Sequence, residues 1–120
     1  MTPFGEILRR AVEATPGAVG GAFADKQGEL VDSFASYDSY EFAILTAHYG
    51  VLLSQLHAAF GTFHFGGPEY FIVQYTRLGV VVHAVDDGYY ALLAVSDPAR
   101  VAFAVAALRV ATAELQKEMW

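Results

Sequence analysis

Apolar residues recur at helical spacing in some stretches of this chain and at strand spacing in others. Phe4, Ile7, Leu8, Ala11 and Val12 fall at i, i+3, i+4, i+7 and i+8, with Glu6, Arg9, Arg10 and Glu13 on the far side. This predicts an amphipathic helix over residues 3–14. Thr2 suits its N-cap, Pro3 its first turn, and Thr15-Pro16-Gly17 stops it. Residues 18–24 and 29–35 predict two strands joined by a turn at Asp25-Lys26-Gln27-Gly28, with Gly28 at a positive φ. Gly20 and Gly21 inside the first strand predict close approach by another element, a helix backbone. A long helix follows over residues 38–60, with Asp38 as cap and Glu41 completing a capping box. Gly61 is placed for its C-terminal cap, and the connection runs to Pro68. Stretches rich in β-formers at 69–76, 80–85 and 89–95 predict three more strands, with a hairpin signal at Asp86-Asp87-Gly88. Asp97 and Pro98 then open a last helix buried along Val101, Val105, Leu108, Thr112, Leu115 and Met119.

The order is α-β-β-α-β-β-β-α, an α+β fold with an antiparallel sheet, in a single domain spanning residues 1–120. Strands three to five are apolar on both faces, so helices must cover the sheet on both sides. The first and last helices are expected on one face and the central helix on the other. Two such layers leave little room for a pocket.

The central helix carries the strongest signal. From Phe42 to Pro68 there is no Asp, Glu, Lys or Arg, although 17% of the chain is charged. At 100° per residue the helix has three faces. Phe42, Leu45, Tyr49, Leu52, Leu53, Leu56 and Phe60 make a large apolar face, expected on the sheet. Ala43, Thr46, Ala47, Gly50 and Ser54 make a face of small residues that lets another backbone come close. Ile44, His48, Val51 and Gln55 make a third. One sheet needs only one face, so the rest implies a second partner, and a subunit interface is the reading adopted. The expected homodimer seam is the small face, centred near Gly50, with the third strand's Tyr70, Ile72 and Gln74 extending the sheet across it.

Composition narrows the function classes. Hydrophobic residues make up 55% of the 120, which excludes disorder and favours an oligomer. With 13 acidic and 7 basic residues the net charge is −6, a poor match for nucleic acid or an anionic membrane surface. Without Cys there is no disulfide framework and no thiolate metal site, as suits the cytoplasm. The N-terminus lacks the pattern of a signal peptide, and no run of 18 apolar residues crosses the central stretch, so no membrane insertion is expected.

Candidate chemistry is sparse. His48 and His57 face different ways on their helix, and no carboxylate lies near enough in sequence to join His57 and His64, so no metal or cofactor is expected. There is no nucleophile-elbow motif and no phosphate-binding loop. Asp86 and Asp87 precede Gly88 in a hairpin, and turn preference accounts for them. Arg77 reads as a solvated turn residue, the alternative being an arginine donated in trans to a GTPase.

At Pro16-Gly17, Gly21-Ala22-Phe23-Ala24-Asp25 and Gly28, in the long middle helix, and from Glu69 to Val95 followed by Asp97-Pro98, the chain resembles the Roadblock/LC7 family. The resemblance covers residues 4 to 118, and the order of elements carries most of it. Gln27 departs from the acidic or Asn residue many members have in that turn. The resemblance implies a five-stranded antiparallel sheet between one helix and a pair, and dimers formed through the middle helix and third strand. It also implies a scaffold or regulator of a Ras-like small GTPase, most similar to the bacterial polarity and gliding-motility regulators of the MglB/MglC type. The chain ends just past its last helix, leaving no tail as a binding arm, so an adaptor is expected over a GTPase activator. The expected partners are a second copy, the GTPase, and another Roadblock protein. The candidate partner surfaces are Arg9, Arg10, Arg109 and Lys117, and the third face, Ile44, His48, Val51 and Gln55. A small-molecule sensor is the alternative class, since helices around an antiparallel sheet also describe ligand-binding domains.

Overall fold

A computed structural model describes residues 2–36, 38–61 and 64–119. Thr62 and Phe63, in the connection after the central helix, lie outside the described residues. Helix α1 spans Pro3–Glu13, and Thr2 caps it by accepting the Gly5 N–H at 3.1 Å. Strands β1 (Ala18–Ala24) and β2 (Leu30–Ala35) follow, then helix α2 (Ser39–Phe60). Strands β3 (Tyr70–Gln74), β4 (Gly79–Asp86) and β5 (Tyr89–Val95) lead through a 3₁₀ turn, Pro98–Arg100, into helix α3 (Val101–Met119). The element order is the one the sequence predicts.

The strands form one antiparallel sheet in the order β2-β1-β5-β4-β3. Helices α1 and α3 cover one face over a core that includes Leu8, Phe23, Val81, Leu93, Leu108 and Leu115. Helix α2 covers the other over Phe42, Tyr49, Leu53, Val82, Tyr90 and Leu92. Gly28 has φ +85°, and Asp87 and Gly88 both have positive φ, the geometry of a tight two-residue hairpin. Asp38 caps α2, its carboxylate accepting the Tyr40 N–H at 2.8 Å.

Some local expectations change. Gly61 ends α2 at φ −69°, so it does not use the left-handed conformation expected of a helix-ending glycine. The close approach at Gly20 is made by side chains rather than a helix backbone. A Cβ there would stand 3.0 Å from Ala35 Cβ and 3.1 Å from the Phe42 ring. Of the last three strands, β4 and β5 are buried along most of their length, whereas β3 alternates, with Tyr70, Ile72 and Gln74 exposed, because it lies at the sheet edge.

Candidate dimer and partner surface

Helix α2 sits on the sheet through Phe42, Thr46, Tyr49 and Leu53, all buried. These residues recur at i, i+4, i+7 and i+11, one stripe of a helix. The stripe runs between the predicted large and small faces, so α2 is rotated from the expected setting. Two contacts fix that rotation. The Tyr90 side chain rises from β5 and donates its hydroxyl to the Thr46 carbonyl at 2.7 Å. A Cβ added to Gly50 would meet that hydroxyl oxygen at 2.4 Å. Meanwhile Gly28, in the β1–β2 turn, lies against Ala47, where an added Cβ would stand 3.4 Å from the Ala47 Cα.

The small face is therefore occupied largely by the chain's own sheet. Thr46 is 0% exposed, and its hydroxyl donates to the Phe42 carbonyl at 2.7 Å. A side chain so placed has no surface to offer a second subunit, while Gly50 is half-buried above the Tyr90 ring. Ala43 and Ala47 are half-buried at the margin, and Ser54 is exposed near the β4–β5 hairpin.

The open side of α2 is the third face. Val51 is 59% exposed and Ile44 43%; His48 and Gln55 are exposed, with the His48 ring Nδ1 2.8 Å from the Ile44 carbonyl oxygen. Tyr40, Leu52 and Phe60, from beyond the predicted third face, are exposed as well. These exposed apolar side chains lie on a helix with no charged residue from Phe42 to Phe60.

Strand β3 supplies an open edge. At one end the Ala84 N–H donates to the Glu69 carbonyl at 2.8 Å; at the other the Tyr75 N–H donates to the Leu78 carbonyl at 2.7 Å. Antiparallel pairing alternates along a strand, so odd-numbered residues turn their backbone groups toward β4. Those of Tyr70, Ile72 and Gln74 point out of the sheet. Their side chains lie on the α3 side: Tyr70 stacks on His83 with centroids 5.7 Å apart, and Gln74 donates to the Pro98 carbonyl at 3.0 Å. What this edge offers a neighbour is main chain.

The basic candidates are mostly engaged within the chain. Arg9 pairs with Glu6 and with Glu13, the latter at 2.5 Å, and its hydrogen bond holds the Glu6 carboxyl below its ordinary pKa. Arg10 meets Glu114 at 2.8 Å, and Arg109 meets Glu69 at 2.9 Å while lying over the Tyr70 ring. Lys117 is exposed near the end of α3. Arg77 is exposed on the β3–β4 turn.

An open cavity of about 490 Å³, where little room was expected, lies between α3 and β4 and reaches His57, Glu69, His83, Arg109 and Gln116. Most of its polar groups are satisfied: Glu69 and Arg109 by each other, His57 by the Pro68 carbonyl at 2.8 Å, Gln116 by the Val85 carbonyl. His83 Nε2 is buried without a partner among the described residues. No described helix is long and apolar enough to cross a membrane.

No protein-family model matches the chain, and no curated protein matches it in sequence. Solved structures match its fold. Over 99% of this chain and 96% of the other it is similar to Myxococcus xanthus MglB, with TM-score 0.86 and 12% identity. It is similar to a Roadblock/LC7 domain from Streptomyces avermitilis over 95% of each, with TM-score 0.81 and 13% identity. To MglC from Myxococcus xanthus the TM-score is 0.71 with 20% identity, over 98% and 99%. With the sheet order and layering described above, these likenesses give the chain the Roadblock/LC7 fold.

Proposed function

We propose that this chain is a non-catalytic, dimeric adaptor in a Ras-like small GTPase module, of the kind that controls bacterial cell polarity or gliding motility. It would act in the cytoplasm, binding the GTPase, another Roadblock protein, or both. The carrying observation is the uncovered, uncharged outer side of α2 beside the open edge of β3. A two-fold axis there would place one β3 against its copy and one α2 against the other, covering an apolar face and an unpaired edge together. The seam moves accordingly to Ile44, His48, Val51, Leu52 and Gln55 with the backbone of Ile72 and Gln74. A dimer also presents every remaining surface twice, as suits a scaffold. The likeness to MglB and MglC folds supports the GTPase module.

The test is titration of the purified protein with small GTPases loaded with GDP or a GTP analogue, and with Roadblock proteins encoded beside it. Binding to at least one is expected; binding to none removes the GTPase assignment. An activating role would rest on Arg77. In that case Arg77→Ala would lower a partner's GTP hydrolysis by about 10³-fold or more, whereas an adaptor leaves it unchanged.

One observation favours the sensor alternative, the cavity of about 490 Å³ whose lining includes the buried His83 Nε2, without a partner among the described residues. A ligand retained through purification, and lost in His83→Leu, is the result that would support it.

A further inference from the structure

On the sheet face opposite α2, helix α3 presents a second uncovered apolar surface. Between Arg100 and Arg109 there is no charged residue. Phe103 is 55% exposed and Val110 62%, and Ala102, Ala106 and Ala113 are exposed along the same side. Beside them, between α1 and α3, runs a groove of about 240 Å³ whose walls include Ala14, Ala107, Val110 and Ala111.

We infer that α3 is a second self-association face, taken up by α3 of another copy running antiparallel to it. The occupant is identified by self-complementarity. A two-fold axis between Ala106 and Ala107 sets Phe103 of each copy opposite Val110 of the other. Antiparallel two-fold packing also brings the same flank of both helices together, so each Phe103 ring meets the groove between the other copy's α3 and α1. Small residues at the crossing let the helices come near enough for both rings to seat.

The charges agree with that register. The same axis brings Arg100 of one copy beside Glu114 of the other. Among the described residues the ion-pair partner of Arg100 is Asp97, at a distant 4.0 Å. Glu114 gives one carboxylate oxygen to Arg10 at 2.8 Å and has a second to offer. Knob, groove and opposite charges thus lie on one helix at the spacing a two-fold requires, which an unrelated partner would have no reason to match. A single-helix contact falls at the small, transient end of interface sizes, so association should depend visibly on concentration. The surface shares no residue with α2 or β3 and does not depend on the GTPase assignment. Should both faces pair, dimers would join into tetramers.

The absence of native Cys makes cross-linking a clean test. Ala106→Cys lies next to the axis and should form a covalent dimer under mild oxidation at tens of micromolar. Lys117→Cys should not, because antiparallel pairing holds the two copies of that position roughly 30 Å apart at 1.5 Å per residue. Adding Phe103→Glu to Ala106→Cys should slow cross-linking at least about tenfold, since the two-fold repeats the change. Adding Arg100→Glu should slow it several-fold, with the effect shrinking at high salt. Circular dichroism checks that these exposed substitutions leave the fold intact. Ala106→Cys should still cross-link when combined with Val51→Asp, which separates this face from the α2 seam. Equal rates for Ala106→Cys and Lys117→Cys, or no effect of Phe103→Glu in a folded protein, would overturn the inference.

Discussion

The Tyr90 hydroxyl oxygen occupies the space beneath Gly50, 2.4 Å from where a Cβ would stand, and the ring carbons follow at 2.8 and 2.9 Å. Helix α2 can lie on β5 at this height only because position 50 has no side chain. Gly50→Ala should therefore destabilise the protein despite alanine's better helix propensity. Overpacking costs about 1–3 kcal/mol, and the propensity gain returns about 1 kcal/mol. The net loss should appear as a lower urea midpoint and a thermal midpoint several degrees down. An unchanged midpoint would show that α2 shifts freely over Tyr90.

The same tyrosine gives an alkaline signature. Burial, followed by the charge of Asp25, pushes the Tyr90 phenol up to about 12, against 10.0 for a free tyrosine. The unfolded chain thus ionises first. The stability from keeping Tyr90 neutral is complete below pH 10 and is lost as pH rises toward 12. Tyr90→Phe keeps the ring, loses the hydrogen bond to Thr46, and should cost about 1 kcal/mol at neutral pH. Its stability should fall less steeply between pH 10 and 12 than that of the wild type. Parallel curves would assign the alkaline loss to the other tyrosines.

How much of this could be read from the chain depends on the range of each interaction. Element order and turns were legible, because caps, glycines and alternation act over a few residues. Arg9 stands among the expected partner residues, yet its i, i+3 and i, i+4 spacing to Glu6 and Glu13 already holds the pairing the structure shows. The pairing of Arg109 was not legible, since its partner Glu69 and the Tyr70 ring come from another element. The charge-free run from Phe42 to Pro68 showed that α2 is apolar around most of its girth. That same property hid which side meets the sheet, because rotating the helix exchanges one apolar face for another. Tyr90 and the turn at Gly28 decide it, and both are distant in sequence. The edge position of β3 was expected from the sequence, but its open face was not: residues 69–76 are apolar on both faces, and only the layering shows that Tyr70, Ile72 and Gln74 stay exposed.

If the outer side of α2 is the dimer seam, a charge there should separate the subunits and spare the fold. Val51 is more than half exposed, so Val51→Asp removes no contact with the core. In a two-fold seam it places two buried carboxylates near each other, each without a partner. The substitution should weaken the dimer about a hundredfold or more, a hot-spot loss counted in both copies. Light scattering across a dilution series should show a monomer with unchanged thermal midpoint at infinite dilution. A variant that remains as dimeric as the wild type would remove α2 from the interface.

The β3 edge predicts a different kind of loss. The N–H of Ile72 points away from β4, by the alternation fixed at Glu69–Ala84 and Tyr75–Leu78. Proline at position 72 therefore deletes a donor that the monomer does not use in its own ladder, and edge strands tolerate proline for this reason. Ile72→Pro should leave the circular dichroism spectrum close to wild type while weakening the dimer. Val73→Pro is the matched control, because its N–H faces β4; there the monomer itself should lose stability. If Ile72→Pro dimerises as the wild type does while Val73→Pro behaves as expected, the strands do not join across the axis, and the seam is carried by α2 alone.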